Sequence, residues 1–352
     1  MRIREATEKD KYAWDTFIDS QDGSFYFYYD WKYVHEFQNL QLIQIIVENT
    51  QLEFICIFTL VRTLKPMYSI LESENGGPLF KKDFPITERY QVLRTLIGYI
   101  EKSYSSGCSS FIIEDYESNT KQNSALIDSK FRLRFQKGIK LPCLHVLPLK
   151  MPFEENIWKG LWSQKFRQAL NKVAKNGVRV IQDPELKYMH EYTTLLVFTY
   201  KRHKSKPPSK ERIMLEFNYF KDKTKLFVAT FNEQPIVILS CHYSKNTCYL
   251  WGVGSMTKAT DDANKLCYKA AIADACNNGY QFVDFGRSFT ESLANLKERF
   301  AATRIPITIY EKRYSFPRVL FEKIPYLAKA LGEDRNYILK NGDIILDRIF
   351  RW

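Results

Sequence analysis

The chain runs through one ordering of elements twice. In its first half two β-rich apolar runs, residues 41–47 and 54–61, flank the polar turn Glu48-Asn49-Thr50-Gln51. An amphipathic segment, 87–104, follows, with Val92, Leu93, Leu96, Ile97 and Ile100 at helical spacing; Gly107 stops it, and Phe111-Ile112-Ile113-Glu114 reads as a strand ending in a carboxylate. In the second half, runs 226–231, 236–243 and 248–253 form a meander turning at Asn232-Glu233-Gln234 and Lys245-Asn246. The alanine-rich helix 263–276, with Leu266, Ala270 and Ala273 on one face, stops at Gly279, and Phe282-Val283-Asp284 is again a strand closed by a carboxylate. Repetition of one order predicts two copies of a mixed α/β (α+β) unit.

Around these repeats the sequence predicts a helix over 6–20, a short aromatic helix about Trp31, a strand over 66–71, a helix over 157–175 closed by Asn176-Gly177, a strand over 178–181 and a helix over 185–203. A late strand at 305–310 is expected to return to the first unit. The expected domains are therefore 1–150 plus 305–352, and 151–304. The tail from Tyr314, rich in Lys, Arg and spaced apolar residues, reads as helical, packed on its own domain or lying on an anionic membrane.

Hydrophobic residues make up 45% of the 352, which excludes a disordered chain. No apolar run reaches the roughly 18 residues of a membrane span. Met1-Arg2-Ile3-Arg4-Glu5 does not read as a secretion signal, so a cytoplasmic protein is expected, membrane-peripheral at most. The seven cysteines include no Cys-x-x-Cys pair and read as reduced core residues; the five histidines are scattered, so no metal site is expected. Lys plus Arg exceed Asp plus Glu by 52 − 40 = 12, which favours an anionic partner.

Four segments carry candidate chemistry. Lys165, Arg167, Lys172, Lys175 and Arg179 crowd one helix and the strand after it, as phosphate binding requires. Tyr200 to Pro208 is a helix end becoming a cationic, proline-braked loop, in which Arg202 can fork onto a carboxylate or phosphate and Lys206 adds charge. In Tyr249-Leu250-Trp251-Gly252-Val253-Gly254-Ser255 an aromatic strand ends at two glycines, where a ligand could approach the backbone. The fourth segment, Asp284-Phe285-Gly286-Arg287-Ser288, leads into a helix carrying Leu296, Lys297 and Arg299.

Trp31, Gly76-Gly77-Pro78, Lys165-x-Arg167, Lys175-x-Gly177-Val178, Gly252-x-Gly254-Ser255, Asp284-Phe285-Gly286 and Leu296-Lys297-x-x-Phe300 occur in this order. The series resembles the Fem-type (FemABX) peptidoglycan interpeptide-bridge aminoacyltransferases and the BioF2-like GNAT acyltransferases. The resemblance implies two tandem GNAT-like domains and transfer of an aminoacyl group from aminoacyl-tRNA to an amine of a cell-envelope precursor, nucleotide-sugar or lipid-linked. It places Lys297 at the reaction centre and implies no cofactor beyond the donor. Leu296 stands where the family has Phe, and the Arg287-Ser288 continuation is closer to the BioF2-like members.

Acyl transfer to an amine needs a neutral nucleophile, a held carbonyl and donors where the oxyanion develops. Lys297 suits the oxyanion or the donor's terminal ribose and phosphate, Arg287 an acceptor carboxylate, and Asp284 the orientation of Arg287 or of the amine. Lys32, Lys165, Arg167, Arg202 and Lys206 are expected to steer anionic substrate parts. Tyr249 and Trp251 are expected to line the channel, with Trp31 and Ser288 also binding substrate. No Ser-His-Asp or Cys-His spacing is recognisable, which favours direct transfer. Residues 255–262 lack the glycine-rich turn that cradles a CoA pyrophosphate and carry Asp261 and Asp262, which places aminoacyl-tRNA ahead of acyl-CoA. Two alternatives stay open: an acyl-CoA-dependent N-acyltransferase acting on an amino sugar of surface polysaccharide, and a non-catalytic anion- or RNA-binding relative. The oligomeric state is not legible.

Overall fold

The computed structural model describes residues 1–65, 68–73, 76–115, 120–134, 143–256, 261–288 and 290–314. The expected helical tail lies outside these residues, as do parts of the expected strand 66–71 and of the breaks at 74–78 and 255–262.

Each repeat folds as its order demands. In the first half β1 (Arg2–Glu5), β2 (Leu40–Glu48), β3 (Phe54–Leu64) and β4 (Ser69–Glu72) pair antiparallel in succession, with β5 (Leu79–Phe80) beside β3. Helices α1 (Lys11–Ser20) and α2 (Trp31–Phe37) lie between β1 and β2, and α3 (Ile86–Tyr104) carries the chain to β6 (Cys108–Asp115), which runs parallel to β4. All five residues expected on the inner face of α3 are buried. Helix α4 (Thr120–Asp128) and the short β7 (Arg132–Leu133) follow.

The second sheet repeats the plan. Its framework is β8 (Cys143–Pro148), β9 (Arg179–Asp183), the meander β10 (Thr224–Phe231), β11 (Gln234–Tyr243) and β12 (Thr247–Ser255), and then β13 (Phe282–Ser288) parallel to β12. Helices α5 (Gln164–Lys175), α6 (Met189–Arg202) and α7 (Lys210–Tyr219) precede the meander, α8 (Asp261–Asn277) joins β12 to β13, and α9 (Glu291–Glu298) precedes β14 (Thr303–Pro306) and β15 (Thr308–Arg313).

The sheets trade strands. Cys143–Pro148, assigned from sequence to the first domain, lies in the second sheet between β13 and β14, while β15 crosses back to lie between β6 and β7. The expected returning strand at 305–310 is thus split: Ile305 and Pro306 pair with β8, and only Thr308 onward joins the first sheet. The expected helix over 157–175 is also broken. A short wide turn, Glu154–Lys159, is followed by Trp162, whose indole N–H turns inward to the Phe300 carbonyl at 2.9 Å, and by Ser163, whose hydroxyl caps α5 by accepting from Phe166 N–H. Helix α7 was not read from the sequence; its signal was Ser209 after Pro207-Pro208, and Ser209 does cap it.

The halves meet through an aromatic joint. Phe25 stacks on the buried His242 at 4.5 Å, and Trp31 packs on Trp251 at 5.4 Å and on Phe220 at 5.0 Å. The seven cysteines are free and buried. Among the described residues no helix is long and apolar enough to cross a membrane.

The glycines of β12 answer to packing. A Cβ on Gly252 would lie 2.4 Å from the Tyr192 hydroxyl, and one on Gly254 would lie 2.8 Å from both Leu195 Cβ and the Leu196 backbone nitrogen. What approaches this backbone is α6, and the expectation of a ligand there is corrected. Gly254→Ala is expected to lower stability by about 1–3 kcal/mol through overpacking. Gly98→Ala, on an exposed stretch of α3 with open space around the new methyl, should raise it by about 0.5–1 kcal/mol. Thermal melts of both variants check the pair.

Candidate active site

The site is built on a bulge. Asp284 stands opposite Val146 and Arg287 opposite Leu144, so β13 holds one residue more than its partner. Gly286 absorbs the extra residue at φ +70°, a conformation that costs glycine little. The bulge lets the consecutive carbonyls of Gly286 and Arg287, which a regular strand would point to opposite sides, face one partner on α9. There Lys297 Nζ donates to both, at 2.8 and 2.7 Å. Thr290 caps α9 by accepting from Leu293 N–H. The face of α9 carrying Ala294 and Lys297 turns inward, leaving Lys297 only 7% exposed.

Burial pushes the Lys297 ammonium down to about 8, against the opposing pull of Asp284. Burial likewise raises the Asp284 carboxyl to about 6, although the Gly286 N–H donates to its Oδ1 at 2.6 Å and Lys297 and Arg287 favour its charge. The two groups thus change charge on either side of neutrality.

Strands β12 and β13 pair only from Thr247/Phe282 to Tyr249/Asp284. Beyond this, Leu250 and Phe285 wall a small apolar pocket with Tyr268, Leu296 and Phe300, and Lys297 forms part of its lining. Tyr268, Leu293 and Leu296 also line a larger cleft of about 1080 Å³, so pocket and cleft adjoin. Arg202, His203, Lys265 and Arg299 border that cleft, and no carboxylate does among the described residues. Arg202 is fixed there by its Nη2, which donates to Ser255 Oγ at 2.9 Å; the Ser255 N–H in turn donates to Thr199 Oγ1 at 2.8 Å.

The remaining sequence candidates fall elsewhere. Trp31 is 3% exposed, gives its indole N–H to the Phe25 carbonyl, and belongs with Tyr249 and Trp251 to the aromatic joint rather than to an open channel. Trp251 is the extra residue of a bulge in β12, which turns its ring onto Tyr26 and Trp31. Lys32 pairs with Glu8 and touches the Tyr29 hydroxyl on the first half. Lys206 is exposed after α6, and Lys165 and Arg167 lie on α5, outside the cleft lining. Ser288 is buried against His145 Nδ1 at 3.0 Å.

Arg287 is held by a residue that sequence reasoning compared with Asp284 but did not place in the site. Glu114, at the end of β6 in the other half, takes Nη1 on Oε1 at 2.8 Å and Nη2 on Oε2. The terminal carboxylate of one repeat therefore grips the arginine of the other. The strand exchange brings them together, through β8 beside β13 and β15 beside β6. A buried ion pair is costly to break on one side only. Arg287→Met is expected to destabilise by about 3 kcal/mol or more by leaving Glu114 uncompensated, and Glu114→Gln/Arg287→Met should recover much of that loss. A double-mutant cycle in denaturant checks it.

Residues 163–292 match the family model described as an acetyltransferase (GNAT) domain. No curated protein matches the chain in sequence. Among solved structures, FemX superposes with a TM-score of 0.72 at 12% identity, over 92% of this chain and 100% of that one. The L-PGS of Bacillus licheniformis gives 0.55 at 12%, over 90% and 96%. A tandem GNAT protein of the clavulanic acid biosynthesis pathway gives 0.52 at 7%, over 89% and 98%. Residues 163–292 thus match a GNAT acetyltransferase domain, and the doubled α/β fold of the chain resembles that of FemX.

Proposed function

We propose that this chain transfers an aminoacyl group from aminoacyl-tRNA to an amine of a cell-envelope precursor. The observation that carries the reading is the cleft bordered by cations that narrows onto an apolar pocket with Lys297 in its wall. Arg202 and Arg299 suit the phosphates at the 3′ end of a donor. The pocket between the diverging strands suits a small acyl group better than a bulky one. Residues 255–262 lack the glycine-rich turn whose backbone donors would cradle a CoA pyrophosphate.

In this reading the acceptor amine attacks the ester carbonyl and the C–O bond to the terminal ribose breaks. The amine gives up a proton and the departing ribose oxygen gains one. Lys297 has two of its three protons on backbone carbonyls, which hold the nitrogen still, and the third serves the developing oxyanion. Asp284 draws the acceptor's ammonium and relieves it of its proton. Neither step needs a covalent enzyme intermediate.

A second reading, acyl transfer from acyl-CoA to an amino sugar, is favoured by the Arg287-Ser288 continuation and by the GNAT domain itself. A mass-shift assay separates the two. The protein is given charged tRNA or a panel of acyl-CoAs, each with amine-bearing nucleotide-linked or lipid-linked acceptors. Transfer from charged tRNA supports the first reading; transfer only from acyl-CoA overturns it.

Two outcomes test the roles. Lys297→Met should cut kcat by about 10²–10³, the usual cost of losing one oxyanion donor. The Asp284 carboxylate forms above about 6 and the Lys297 ammonium is lost above about 8, so kcat/KM should rise through the first value and fall through the second. In Lys297→Arg the alkaline fall should disappear, because guanidinium keeps its charge.

A further inference from the structure

The cleft accounts for Arg202 and Arg299 but not for the cations of α5. Between Glu155 and Asp183 the sequence holds Lys159, Lys165, Arg167, Lys172, Lys175 and Arg179 and no carboxylate. At 3.6 residues per turn Lys165, Gln168, Lys172 and Lys175 share one face of α5, and all four are exposed. Phe166, Leu170 and Val173 occupy the opposite face and pack into the core of the second half. No carboxylate of the described residues pairs with any of the three lysines.

The helix dipole explains only part of this. Lys172 and Lys175 lie in the last turn, where a cation is welcome, but Lys165 lies in the first turn, where it is not, and no acid accompanies it there. The buried side of α5 packs beside the cleft. Trp162, just before α5, donates to the Phe300 carbonyl; Phe166 packs edge-on to the Phe300 ring at 5.0 Å; and Arg299, next in sequence to Phe300, borders the cleft. At about 1.5 Å per residue, Lys165 and Lys175 stand roughly 15 Å apart along the helix, a span of several phosphates.

We propose that this outer face of α5 docks the phosphate backbone of an RNA stem whose 3′ end enters the cleft. The proposal rests on the aminoacyl-tRNA reading and adds where the body of the donor lies. RNA fits better than a membrane surface because a lipid-binding helix inserts its apolar face, and that of α5 is already spent on the core. Double-helical RNA is bound largely through its backbone and shape, which a row of exposed lysines can follow without reading sequence.

The test measures binding of an uncharged RNA hairpin with a single-stranded 3′ end to the full chain, by fluorescence anisotropy across a salt series. The variant is Lys165→Gln/Lys172→Gln/Lys175→Gln. The control, Lys65→Gln/Lys82→Gln/Lys102→Gln, removes the same charge from exposed lysines of the first half. Each phosphate that is no longer neutralised should flatten the slope of log affinity against log salt by about 0.7–0.9, so the α5 variant should drop by roughly two in slope and bind more than tenfold more weakly at physiological salt. The control should change little, and both should melt like the parent. Hairpin binding of equal strength in the α5 variant and the control overturns the docking face while leaving the donor reading intact. A parent chain that binds no hairpin overturns both. Vesicles rich in phosphatidylglycerol form the third arm: if the α5 variant loses vesicle binding and keeps the hairpin, the face belongs to a membrane and the proposal fails.

Discussion

The candidate site depends on one lysine ammonium held by two consecutive carbonyls that a strand bulge brings to one side. In a regular strand consecutive carbonyls point to opposite sides, and the bulge at Gly286 is what lets one ammonium meet both the Gly286 and the Arg287 carbonyl. Burying an ammonium is expensive unless its protons are met, and here two of three are met by neutral oxygens. Neutral partners leave the charge uncompensated, which is why the group sits so far below an ordinary lysine. The nearest compensating carboxylate, Asp284, is itself pushed toward neutrality by burial. A pair whose environments drive both members toward the middle of the pH scale is an arrangement suited to proton and charge traffic rather than to stability.

The doubled fold serves this site by strand exchange. Each repeat alone ends in a strand carrying a carboxylate, Glu114 on β6 and Asp284 on β13. Because β8 is lent to the second sheet and β15 returned to the first, these two strand ends face the same seam. Glu114 is then consumed in holding Arg287, while Asp284 keeps only a backbone donor on one oxygen. The two carboxylates differ accordingly: Glu114 is spent on an ion pair with Arg287, and Asp284 stays buried beside Lys297. The aromatic joint of Phe25, Trp31, Phe220, His242 and Trp251 packs the two halves together.

Much of this was legible in the residues. The repeated order of meander, helix, glycine stop and strand predicted both sheets, because hydrophobic period and glycine punctuation are local signals. Lys297, Asp284 and Arg287 do gather at one strand end, as the fourth segment suggested. What was not legible depended on tertiary contact. Gly252 and Gly254 announce a close approach but not what approaches, and it is Tyr192 and Leu195 of α6. Trp31, Tyr249 and Trp251 have the composition of a ligand channel and are used as the joint. Glu114 finds Arg287 only through the strand exchange, of which the return of β15 was expected and the loan of β8 was not. The break at Gly160 turns on Trp162 reaching a carbonyl 138 residues away.

Nuclear magnetic resonance of the protein with labelled lysine side chains reads the Lys297 ammonium directly. Its signal is identified by its loss in Lys297→Arg and followed against pH and against added aminoacylated hairpin or acyl-CoA. The structure predicts that this signal titrates near 8, below the exposed lysines, and shifts when donor occupies the cleft. Titration with the other lysines at about 10.4, unmoved by either donor, would contradict it.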